Sequence, residues 1–287
     1  MNDPAALALV VFLGTWYWVG NRQARLREVR TGRRPRTPLW RGLALYGALA
    51  STLLALDSPI DTWADRLLWV HMTQHLLLML VTAPLVVLAA PWMAFWRPLP
   101  LGFRRAVAGT VVRGRTFAPV RAAARWLARP IPAFVLFNAN LALWHIPWFY
   151  DLTLQSKAVH YTEHFSFVLF GCLFWAQVID SPPFRARLGY FGRAVYAAAG
   201  GVAGWVLAIV FALAPSPLYP AYAELAHRSG GISALTDQQY AGGMMWGPGS
   251  ITYTIVVFWA LYRWLDEEPR RRRRSSPAPL RSEATSR

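Results

Sequence analysis

The stretch LLWVHMTQHLLLMLVTAPLVVLAAPW, residues 67–92, decides the fold: it runs for twenty-six residues without an Asp, Glu, Lys or Arg. An α-helix rises about 1.5 Å per residue, so about 20 apolar residues cross the roughly 30 Å hydrocarbon core of a bilayer. Six more segments share this character: Ala5–Gly20, Trp40–Leu56, Ile131–Ile146, Ala158–Ile179, Ala194–Ala214 and Met244–Leu265. The first two are short, and Trp16, Tyr17, Trp18 and Trp40 extend them as interfacial anchors. The first segment is read as a span and not a cleaved leader, because polar Asn2 and acidic Asp3 precede it in place of a basic region. The expected fold class is all-α, a polytopic membrane helical bundle of about seven transmembrane helices. Residues 1–265 form one integral membrane domain, and 266–287, rich in Arg, Ser, Pro and Glu, a disordered basic cytoplasmic tail.

The formal charge of +16 invites a nucleic-acid role, but its distribution assigns it to topology. Eight Arg lie between Arg22 and Arg41, eight between Arg97 and Arg129, three at Arg185, Arg187 and Arg193, and eight from Arg263 onward. Only Arg66, Lys157 and Arg228 remain for the alternate loops, so the split is 27 against 3 in register with the seven spans. The positive-inside rule then sets the N-terminus outside and the C-terminus in the cytoplasm of a multi-pass plasma-membrane protein. The expected partners of this charge are anionic membrane lipids, and no motif supports nucleic acid. The basic stretch Arg97–Arg129 has room for a short amphipathic helix on the membrane surface. The outer loop Pro215–Tyr240 reads as irregular turns, with Pro215, Pro217, Pro220, Gly230 and Gly231. Cys172 is the only cysteine; it excludes an internal disulfide or a Cys-based metal site and reads as a small packing residue.

Polar side chains inside a membrane are costly, so their depth is informative. His71 and His75 open the third span, and His160 and His164 open the fifth; both motifs read His-x-Thr-(Gln/Glu)-His, and both spans run inward from the same side. His145 closes the fourth span at that end, and Met244 and Met245 open the seventh after Asp237, Gln238 and Gln239. Five of the six histidines therefore share one layer, with His227 in the outer loop. Residues i and i+4 lie about 40° apart on one helix face, so each His pair can reach one ion. Met72 and Met79 flank the first pair, and Tyr161 and Glu163 the second. Imidazole suits Zn, Cu and Fe, whereas thioether suits Cu(I). The candidate ligand set is His71, His75, His145, His160, His164, Met72, Met79, Glu163, Met244 and Met245, and copper is the expected ion. As packing residues, the methionines would be core filler, and Gly242 to Gly249 a glycine-broken helix start. Asp151 and Asp237 read as solvated loop acids, and the aromatic run Trp144–Tyr150 as interfacial belt. A rival reading places haem b between the His pairs, with Gly200, Gly201 and Gly204 opposite. A copper transporter would need a polar path inward, and below Thr82 the third span offers little.

The segment His71 through Pro84 resembles the signature of the seven-span cytochrome c oxidase assembly factor family, CtaG. So do Leu143-Trp144-His145-Ile146-Pro147 with Tyr150-Asp151, His160 through His164, and Asp237-Gln238-Gln239 to Trp246-Pro248-Gly249. The resemblance covers about residues 5–265 in order. It implies a helper in the maturation of haem-copper oxidases at the copper-loading stage, with an oxidase subunit as partner, and not itself an enzyme. It also carries His71, His75, His145, His160 and His164 over as metal-handling positions.

Overall fold

Seven long helices form among the described residues, one on each apolar segment: α1 Pro4–Arg30, α2 Leu39–Leu56, α3 Leu68–Ala89, α4 Pro130–Trp144, α5 Lys157–Trp175, α6 Tyr190–Leu213 and α7 Ala234–Ser275. The structure, a computed structural model, describes residues 4–32, 37–225 and 230–275, with side chains to 268. The bundle is all-α, as the apolar segments predict. Five helices are long and apolar enough to cross a membrane: α1, Leu39–Ala64 containing α2, α3, α6 and the Ala234–Glu268 part of α7. The seven-span expectation exceeds this. α4 has 15 residues, about 22 Å of helix, and α5 carries Lys157, His160, Glu163 and His164 in its first two turns.

α3 changes hydrogen-bond register on the way down. Residues Leu77–Thr82 form a π-helical turn, with Pro84 just beyond it. Proline has no N–H to give to the carbonyl four residues back, Leu80 O, which needs another donor. Three neighbouring helices donate to carbonyls of this turn. Ser51 Oγ of α2 donates to Leu77 O (3.4 Å), Trp175 Nε1 of α5 to Met79 O (2.8 Å), and Thr252 Oγ1 of α7 to Leu80 O (2.9 Å).

Between helices in lipid, apolar burial alone gives little, so close approach and such hydrogen bonds hold the bundle. A Cβ on Gly171 of α5 would lie 2.8 Å from Ala83 Cβ of α3, and one on Gly242 of α7 would lie 2.8 Å from Ala208 O of α6. Gly242 is therefore a packing contact within a helix that starts at Ala234. The expectation that Met244 and Met245 open this helix is corrected: they lie almost three turns inside it. At its other end α7 continues to Ser275, past residue 266, where the tail is expected to start. Residues 276–287 of the expected tail lie outside the described residues.

The apolar core sits across the middle, with Phe137, Phe167, Phe174, Trp175 and Val178 all buried and Phe137 stacked on Phe174 at 4.5 Å. By chain order, the starts of α3, α5 and α7 and the end of α4 share one end of the bundle. The arginines share the other. There the 97–129 stretch forms short helices, including Leu101–Val107 and the amphipathic Ala118–Leu127. At that end Arg193 is buried and fully partnered, donating to Leu188 O (2.9 Å), Val178 O (3.0 Å) and the Asp180 carboxylate (3.2 Å). Partial burial pushes the Asp180 carboxyl up, but the hydrogen bonds from Arg193 and the Ala186 N–H outweigh it and hold the group below the usual carboxylate range.

Candidate metal centre

The first turn of α3 has N–H groups with no helical partner, and Asp237 of α7 meets them. Its carboxylate accepts from Leu68 N (Oδ2, 3.0 Å) and Trp69 N (Oδ1, 3.1 Å) and is fully buried. The expectation of a solvated loop acid is thus corrected. An acid in the first turn of one helix, beside the start of another, is the signal that marks it. Gln238 adds a second tie, accepting from Leu218 N (2.7 Å) and donating to Phe211 O (3.2 Å). One turn further along α3, Gln74 Nε2 donates to Ala55 O (2.8 Å) and Asp61 Oδ1 (2.9 Å). Gln74 therefore points at α2, and its neighbours His71 and His75 point at α5.

On α5, Glu163 lies among the histidines and is fully buried. Its carboxylate is 3.4 Å from His75 Nε2, 3.8 Å from His71 Nε2 and 4.0 Å from His160 Nε2. The His71 and His75 rings are 4.4 Å apart, His160 and His164 4.2 Å, and His75 and His164 5.7 Å. One ligand atom each from His71, His75, Glu163 and His164 fall within 4.8 Å of one another, and all four residues are buried. The two motifs, separated by 89 positions, converge on one point.

The hydrogen bonds around this point are incomplete. His71 Nε2, both ring nitrogens of His75 and of His164, His160 Nε2 and both Glu163 oxygens are buried without a hydrogen-bond partner. A buried polar atom left in that way costs about 1–3 kcal/mol, so eight of them on five neighbouring residues are poorly explained as packing. They fit a cation: imidazole nitrogen and carboxylate oxygen are donor types for Cu(II) and Zn(II).

The ring of His71 is oriented from above. Tyr222 gives its one proton to Ala64 O (2.5 Å) and accepts from Tyr150 (3.1 Å). Its 3.4 Å contact with His71 Nδ1 therefore has the ring N–H as donor, and the other ring nitrogen, Nε2, faces Glu163 at 3.8 Å. Tyr150 is buried 5.0 Å from the His71 ring, and the Tyr219 ring lies tilted against it at 4.4 Å. Trp144 is buried too, donating to Asn140 Oδ1 (3.1 Å) and Ser166 Oγ (2.9 Å). Within the run expected as a belt, Trp148 is exposed, whereas Trp144 is buried in the apolar core and Tyr150 stands beside the His71 ring.

The remaining candidates divide. His145 is buried, with its ring 6.5 Å from that of His75, and it lines a cavity of about 30 Å³ with His75, Met72, Met79 and Met245. Met244 is half-buried and does not line that cavity. Gly200 and Gly201 lie against Phe174 and Tyr253, while Gly204 lines the cavity. His227 falls outside the described residues.

Three curated relatives carry no stated function. The uncharacterized protein Mb0105 of Mycobacterium bovis and the uncharacterized protein MT0111 of Mycobacterium tuberculosis are each 23% identical over 242 residues, 81% of this chain and 35% of theirs. The uncharacterized protein ML1998 of Mycobacterium leprae is 22% identical over 278 residues, 93% of this chain and 40% of its own. The chain thus spans well under half the length of these relatives. No solved structure matches it. The family described as cytochrome c oxidase caa3 assembly factor matches residues 15–267, and so encloses every helix that builds the histidine cluster. On that match the chain belongs to the cytochrome c oxidase caa3 assembly factor family.

Proposed function

We propose that this protein handles copper as cargo for a haem-copper oxidase, taking it up at the histidine-bearing end of the bundle and passing it to an oxidase subunit. One observation carries this reading: His71, His75, Glu163 and His164 converge within 4.8 Å with their ligand atoms buried and unpartnered, in a chain of an oxidase assembly family. The charge distribution supports placing that end outside the plasma membrane and the arginines in the cytoplasm. A cluster built on the first turns of two helices permits release one ligand at a time.

The rival readings lack support of this kind. A porphyrin between the His pairs would need a wide gap, whereas the paired rings are 4.2–5.7 Å apart and Gly200 and Gly201 are filled by aromatic rings. A conducting path would continue inward from the cluster, where buried Phe167, Phe174, Trp175 and Val178 lie instead. The test is metal analysis with an optical spectrum on protein purified in detergent. Copper without a Soret band is the expected result. A Soret band overturns the reading in favour of haem, and no metal after copper incubation reduces the cluster to packing. Copper-loaded protein mixed with a copper-depleted oxidase should then lose copper to it, and retention overturns the delivery role.

A further inference from the structure

We infer that the chain holds a second metal site beside the first, made of thioether and imidazole and suited to Cu(I). The site centres on His145 and Met72, with Met79 and Met245 around it. This inference rests on the copper reading above and deepens it.

The protonation of His145 is settled by its neighbour. Nδ1 lies 2.7 Å from Leu141 O, and a carbonyl can only accept, so Nδ1 carries the proton. The neutral ring then presents the Nε2 lone pair, and what it faces, at 3.3 Å, is the sulfur of Met72. A thioether has no proton to give. Two buried lone-pair donors therefore face each other, an arrangement that a shared cation makes favourable. At metal bond lengths of about 2.0 Å to nitrogen and 2.3 Å to sulfur, a 3.3 Å separation corresponds to an angle of roughly 100° at the ion. That angle leaves coordination positions for further ligands. Met79 and Met245 supply candidates from α3 and α7, because both line the same small cavity as His145 and Met72. The backbone helps hold the ring in place: Tyr219 OH donates to His145 O at 3.0 Å.

The two sites differ in donor chemistry. The first offers imidazole and a carboxylate, which accept copper in either oxidation state as well as Zn(II), and the second offers sulfur, which selects soft Cu(I) over Zn(II). His75 belongs to both surroundings, 3.4 Å from Glu163 on one side and lining the sulfur cavity on the other.

The experiment titrates the full chain in detergent with Cu(I) against a chelator under reducing conditions and records X-ray absorption at the copper edge. Zn(II) serves as a probe of the first site alone. Wild type should take two Cu(I) per chain, with sulfur neighbours in the spectrum, and one Zn(II). Met72→Leu, which conserves volume in the core, should drop Cu(I) to one, remove the sulfur signal and leave Zn(II) unchanged. Glu163→Gln should retain the sulfur-bound ion. Copper bound by nitrogen and oxygen alone overturns the second site and leaves the proposed function standing. A single Cu(I) with sulfur neighbours, lost in either variant, also overturns it, since the sulfur would then belong to the first site. No metal bound by wild type overturns both readings.

Discussion

The two His-x-Thr-x-His motifs have nearly the same sequence and opposite internal wiring. In the α3 copy, Gln74 between the histidines turns outward and ties the helix to Ala55 and Asp61. In the α5 copy, Glu163 turns inward and stands 3.4–4.0 Å from three histidines, two of them on α3. The α3 copy is also oriented by the Tyr150–Tyr222 chain above it and capped by Asp237. One copy is a braced support, and the other brings the charge. Burial alone would not separate them, since Gln74 and Glu163 are both fully buried. What separates them is that Gln74 Nε2 is bonded to Ala55 and Asp61, whereas both Glu163 oxygens lack a hydrogen-bond partner and face histidines. Arg193 at the opposite end makes the same point: buried and fully partnered, it reads as structure.

Substitutions in the two copies should therefore have different effects. The largest change is expected for His75→Ala, which removes the ring nearest Glu163; copper affinity should fall about 100-fold, roughly 2.7 kcal/mol, in a competition titration. A loss no larger than that of a variant outside the cluster, such as Cys172→Ala, would break the argument. Next, Gln74→Leu should lower the thermal stability of the metal-free protein by about 1–3 kcal/mol, with copper stoichiometry unchanged. Lost copper binding there would mean that Gln74 is a ligand and the two copies are equivalent. Third, Glu163→Gln should act in the opposite sense and raise the metal-free melting temperature, because it removes a buried charge at a gain of about 1 kcal/mol. A drop matching that of Gln74→Leu would make Glu163 a structural group as well. The smallest effect is expected for His160→Ala, about threefold in copper affinity, or roughly 0.7 kcal/mol, since this ring is the farthest of the three within 4.0 Å of Glu163 and the most exposed of them. A loss equal to that of His75→Ala would place His160 at the centre of the site.

Much of this was legible from residue spacing. Seven apolar segments gave seven helices, and i,i+4 histidines on two spans running the same way gave a shared depth and face. The length of α4 and the polar start of α5 were visible in the sequence, yet apolar runs alone overstated them as spans. Other features depend on what a neighbour offers. Gly242 and Pro248 look like a helix start on paper, but Gly242 lies against Ala208 of α6 within a continuous helix. Asp237 looks like a loop acid until the bare N–H groups of Leu68 and Trp69 are set against it. The opposite facing of Gln74 and Glu163 could not be read from two matching motifs, because it depends on Ala55 and Asp61 being beside one helix and the other histidine pair beside the other.

The π-helical turn in α3 has a mechanical consequence. Its carbonyls are held by Ser51, Trp175 and Thr252, each from a different helix, at the residues immediately below His75. Sliding α3 by a single residue, about 1.5 Å, would break all three attachments at once. α3 is therefore a fixed post and not a plunger. On the proposed copper reading, an ion would leave the cluster by side chains rotating and trading places around it, while the scaffold that carries them stays still.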